Sequence, residues 1–125
     1  MDRTVYYKYM FIIGAIWNLA VAISLLIMSY FINLGFSTLG LIYYQGFLNS
    51  VILFGIGYYI VGRDINKNHA IVLLAIVGKI QVFTFFLAYF LLGIMTIFEV
   101  IAGTIDLIFA CLFIEFLINF EKVES

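Results

Sequence analysis

Residues 70–90, from Ala70 to Phe90, read AIVLLAIVGKIQVFTFFLAYF. As a helix this stretch rises about 1.5 Å per residue and so reaches about 30 Å, the thickness of a bilayer's hydrocarbon core. Lys79 falls near its middle. A lysine at that depth costs roughly 2.5–3.5 kcal/mol on insertion scales. The folded chain must therefore neutralise it or use it.

The rest of the 125 residues has the same character: 66% are hydrophobic and only 10% charged. A soluble domain of this size has too little interior to hide so much apolar surface, which makes the bilayer the expected solvent. Polar punctuation divides the chain into four expected spans, at about 9–32, 39–61, 70–92 and 94–118. Lipid offers no partner for free backbone groups, so each must be helical. The joints are short and force successive helices to run antiparallel. The expected fold is all-α, a single integral membrane domain built as an up-down four-helix transmembrane bundle. The N-terminal apolar run is too long for a signal peptide's core and reads as an uncleaved span.

Positive charge orients these spans. Arg3 and Lys8 precede the first, Arg63 and Lys67 lie in the second joint, and Lys122 follows the last, while the first and third joints carry neither Lys nor Arg. The positive-inside rule then places both termini and the second joint in the cytoplasm. In that joint Arg63 suits a helix C-terminus, and Asp64, Asn66 and Asn68 suit capping of the helix that follows. Tyr6, Tyr7, Tyr9, Tyr43, Tyr44, Tyr58 and Tyr59 fall near the expected interfaces and read as aromatic belts.

With the orientation set, depth follows from helical rise. Lys79 lies roughly 14 Å in from the cytoplasmic side and Asp106 roughly 18–20 Å. Asn18 and Asn49, with Ser50, fall at about the same level, so each helix contributes to one polar layer. Asp106 is the expected counter-ion of Lys79, with Glu99 as the alternative. Glu99 and Asp106 share a face with the small residues Ala102, Gly103 and Ala110. Glu115 points the opposite way, towards snorkelling or an oligomer contact. Two readings of the layer stand side by side: a neutralised network that fixes helix register, or a small ligand pocket or proton path in which Asp106 titrates beside Lys79.

Other chemistry is sparse. The chain has one histidine, His69, and one cysteine, Cys111, which reads as a small buried hydrophobe. No metal-ligand spacing, nucleophile–base set or phosphate-binding loop occurs, so neither a metal nor a cofactor is expected and nothing argues for an enzyme. A net charge of −1 leaves no footprint for nucleic acid. Gly55-Ile56-Gly57 reads as tight helix packing, and the spacings Gly46 to Ser50 and Ala20 to Ser24 suit helix contacts within or between protomers.

The run from Phe54 through Gly55-Ile56-Gly57-Tyr58 and the Arg63-Asp64 hairpin to Gly78-Lys79, with Asp106-Leu107-Ile108 later, resembles a group of small four-helix bacterial membrane proteins, DoxX-like in architecture. The chain differs from them in lacking a proline after the Arg63-Asp64 turn. The resemblance implies the inner membrane of a bacterium and, by analogy, an accessory role beside redox enzymes. The expected function is thus an accessory subunit or small-ligand-binding protein whose partners are the bilayer and either another membrane protein or further copies of itself. The alternative is an oligomeric proton-coupled transporter or channel using Lys79, Asp106 and Glu99. A membrane enzyme or redox protein ranks third.

Overall fold

The computed structural model describes residues 3–124, with side chains through residue 120, so Lys122 lies outside the described side chains. The described chain is all-α, four helices joined by short non-helical segments: α1 spans Arg3–Phe31, α2 Thr38–Arg63, α3 His69–Leu91 and α4 Ile97–Glu124. All four helices are long and apolar enough to cross a membrane. They form two compact units, residues 1–65 and 66–125, each an antiparallel helical hairpin.

In the first hairpin, burial on α1 falls at Tyr7, Phe11, Gly14, Asn18, Ala22 and Ser29, steps of mostly three and four that trace one stripe along a helix. On α2 the buried positions Leu48, Gly55 and Gly62 repeat every seven residues, the period of helices packing at a shallow angle. The glycines set how closely these helices approach. A Cβ on Gly55 would lie 2.9 Å from Leu19 Cγ and 3.2 Å from Asn18 Cβ, and one on Gly62 would lie 2.8 Å from Ile12 Cδ1. Tyr7 and Tyr58 are fully buried here. They belong to the hairpin core and not to an interfacial belt, because each falls on its helix's inward stripe. Tyr6, Tyr9, Tyr43 and Tyr59 do remain exposed.

The joint between α1 and α2 is built from local polar bonds. Asn33 Oδ1 accepts from the Gly35 N–H at 2.9 Å, and Gly35 takes a positive φ of 82°. Ser37 then caps α2, its hydroxyl accepting from Gly40 N at 3.0 Å.

In the second hairpin, α3 ends in a left-handed turn at Gly93, φ 78°. Gly93 N donates to Phe90 O at 3.0 Å and Ile94 N to Tyr89 O at 2.9 Å, the paired bonds of a Schellman ending. This closure occupies the residues after Leu91, so α4 begins at Ile97, later than the start near 94 that the apolar run suggests. Gly103 lies against Phe83, its Cβ position 3.4 Å from the Phe83 Cα, and Ala110 is buried seven residues on. Ala102 is exposed and takes no part in this contact. Cys111, expected to be buried, is exposed as well, since it lies one step past the inward stripe of Ala110 and Phe113.

At Asn68 the second joint departs from its expected capping. Asp64 closes α2 in extended conformation, its N–H donating to Val61 O at 3.1 Å. Asn68 occupies the N-cap of α3 but sits in the left-handed region, φ 66°, and its side chain makes no capping bond.

Candidate functional site

The chemistry of the second hairpin centres on Lys79. It follows Val72, Ala75 and Ile76 along the buried stripe of α3, so its stem runs among apolar groups facing α4. Its Nζ donates to Asp106 Oδ1 at 2.9 Å and lies 5.5 Å from the centre of the Phe109 ring. The two side chains differ in exposure, 6% for Lys79 and 24% for Asp106. The ammonium is therefore enclosed by its counter-ion and an aromatic face, which together offset the loss of its hydration. The carboxylate keeps an edge open.

Glu99 is not part of this pair. It sits in the first turn of α4, where its carboxylate accepts from Thr96 N at 3.0 Å and from the Thr96 hydroxyl, while Phe98 N donates to Thr96 Oγ1 at 3.3 Å. Thr96 and Glu99 thus form a reciprocal capping box, in which a negative side chain also meets the positive end of the helix dipole. The sequence signal was present as Thr-x-x-Glu at 96–99. The expectation that α4 starts at about 94 hid it, because it put Glu99 inside the helix.

The first hairpin holds its own polar groups. Asn18 is buried, and its Nδ2 donates to Val51 O on α2 at 3.3 Å. Asn49, expected in the same layer, is exposed, and its Nδ2 donates to Gln45 O of its own helix at 2.9 Å. Ser50 likewise donates to Gly46 O. The reason is rotation: Leu48 and Gly55 define the inward face of α2, and Asn49 lies about 100° off it. Equal depth along a helix does not bring a side chain to its neighbour. A polar link that the depth argument missed joins these helices instead: Gln45 Nε2 donates to Ser29 Oγ at 3.1 Å, and Ser29 donates on to Leu26 O at 2.6 Å. Among the described residues no buried side-chain nitrogen or oxygen is left without a hydrogen bond.

At the hairpin ends, Arg63 lies over the Tyr59 ring and donates to its hydroxyl at 3.2 Å. Asp64 is half-buried and Lys67 exposed. His69 opens α3 and meets two rings of α4 edge-on, Phe116 at 5.3 Å and Phe120 at 4.4 Å between centres. Further along α4, Asn119 Nδ2 donates to both the carbonyl and the carboxylate of Glu115. Among the described residues no three His, Cys, Asp or Glu side chains gather as a metal site. No family model, curated protein or solved structure matches the chain.

Proposed function

We propose that this chain is a four-span, up-down integral membrane protein of the bacterial inner membrane, with both termini in the cytoplasm. On this reading it is a non-catalytic accessory subunit or small-ligand-binding protein. The observation that carries it is the Lys79–Asp106 pair. The cation is enclosed and bonded at 2.9 Å, an arrangement that neutralises an intramembrane charge and ties α3 to α4. A group engaged in that way is poorly placed to turn over a substrate. The resemblance of residues 54–79 to DoxX-like proteins points in the same direction as an analogy.

A second reading, an oligomeric proton-coupled transporter or channel, has one observation in its favour: the open edge of Asp106. The capping role of Glu99 counts against its place in such a path. Proteoliposomes loaded with a pH dye separate the two readings. An accessory protein gives the proton flux of empty vesicles, with or without Asp106→Asn. A conduit gives pH-dependent flux that Asp106→Asn abolishes. Topology is tested by impermeant thiol labelling of single cysteines at Asn66 and Gly35 in a Cys111→Ala background. Asn66→Cys should label only from the cytoplasmic side and Gly35→Cys only from the other.

A further inference from the structure

Gln81 stands near the centre of α3, twelve positions after His69 and ten before Leu91. Its side chain is exposed, and no hydrogen bond joins its amide to any described residue. Four other exposed polar side chains inside the helices behave differently. Thr84, Thr104, Ser50 and Asn49 each donate to a carbonyl four residues earlier in their own helix. The longer stem of Gln81 makes no such bond, so both its donor and its acceptor face outwards.

The surroundings of Gln81 form a seam. Leu74, Gly78, Gln81 and Phe85 follow one another at steps of four, three and four, the spacing of helices that pack at a shallow angle. Leu74 and Phe85 are more than half exposed, and a Cβ added at Gly78 would meet nothing within 4 Å. The helix face turned to α4 is a different one, carrying Val72, Ala75, Ile76 and Lys79. Two positions separate Lys79 from Gln81, a rotation of about 200°.

We propose that this seam docks a second copy of the same chain, with the two Gln81 amides hydrogen-bonded across a two-fold axis normal to the membrane. The inference rests on the membrane-spanning part of the reading above. Three points select a second copy. Lipid tails carry neither donor nor acceptor, so an amide at mid-depth needs a polar neighbour. An amide is complementary to itself, since its N–H group suits the other's carbonyl. The one-sided distribution of Arg3, Lys8, Arg63 and Lys67 gives all copies one orientation, so a parallel pair sets Gln81 opposite Gln81 at equal depth. Gly78, a turn away, lets the two backbones approach closely.

Disulfide trapping tests this in the full-length chain. Cys111 is the sole cysteine, so in a Cys111→Ala background one added cysteine can crosslink only to another copy. Oxidised in native membranes, Leu74→Cys and Phe85→Cys should trap mostly dimer, while Ala75→Cys on the α4-facing side should trap less than about a tenth as much. Adding Gln81→Leu should weaken association about tenfold, measured by energy transfer between labelled copies in liposomes, and Gln81→Asn should retain part of it. Monomer at Leu74→Cys and Phe85→Cys, or equal trapping on both faces, overturns the proposal, as does unchanged association in Gln81→Leu. Carbonate extraction in parallel keeps the two readings apart. Release of the chain into the soluble fraction ends the membrane reading, whereas retention without trapping ends only the dimer.

Discussion

Lys79 is held more deeply than the carboxylate that neutralises it: its side chain is 6% exposed, that of Asp106 24%, and 2.9 Å separates their bonded atoms. Removing one partner from such a pair should therefore not cost the same as removing the other. Asp106→Leu strands an enclosed ammonium, and about 3 kcal/mol is expected to be lost. Lys79→Met leaves a carboxylate with an open edge and a way to recruit water, so its cost should be smaller. The double variant should recover most of the loss, because two apolar groups of similar volume replace the pair. Thermal unfolding in detergent, run as a double-mutant cycle, measures this. Additive losses would show that the two groups are not coupled.

The capping box at the start of α4 gives a local prediction. Thr96→Ala removes the hydroxyl that meets both Phe98 N and the Glu99 carboxylate, and about 1 kcal/mol should go with it. Glu99→Gln keeps an acceptor for the Thr96 N–H and should cost less. Hydrogen exchange at residues 97–99 should accelerate in Thr96→Ala while exchange around Gly103 stays unchanged. Acceleration spread evenly along α4 would mean that the box does more than hold the first turn.

Glycine positions in α2 should divide by their neighbours. At Gly55 an added methyl group would meet Leu19 Cγ at 2.9 Å and Asn18 Cβ at 3.2 Å. The second contact sits next to backbone and cannot swing aside, so Gly55→Ala should destabilise the first hairpin by about 1–3 kcal/mol. Gly46 has nothing within 4 Å, and Gly46→Ala should be neutral or gain up to about 1 kcal/mol from helix propensity. Denaturation of the two variants side by side gives the comparison. Equal effects would mean that close approach at Gly55 is not what holds α1 to α2.

The helices and the Lys79–Asp106 pairing were legible because both follow from one-dimensional quantities. Apolar length marks a helix that can span a bilayer, and a buried cation demands an anion on the antiparallel neighbour at matching depth. The sequence reading failed where rotation decided the matter. Asn49 shares a depth with Asn18, but its angle on α2 turns it outwards, while Ser29 and Gln45 meet because both lie along the hairpin contact. Glu99 was misplaced through a boundary error of a single turn. Gln81 gives no comparable signal beside Lys79, since a neutral amide in an apolar run demands no counter-ion.

Asn68 supplies a last prediction, because capping and backbone strain rank its substitutions in opposite orders. Were its amide capping α3, Asp and Ser would serve in its place and Gly would lose a few tenths of a kcal/mol. Its side chain makes no such bond, and its φ of 66° lies where residues with a Cβ are disfavoured by about 1–2 kcal/mol. Asn tolerates this conformation better than most residues, and Gly tolerates it best. Asn68→Gly should therefore match or exceed the native stability, whereas Asn68→Ser should lose stability and Asn68→Val should lose the most. The midpoint of thermal unfolding across these three variants reads out the order. A Ser variant more stable than the Gly variant would restore the side-chain cap and remove the left-handed turn from this joint.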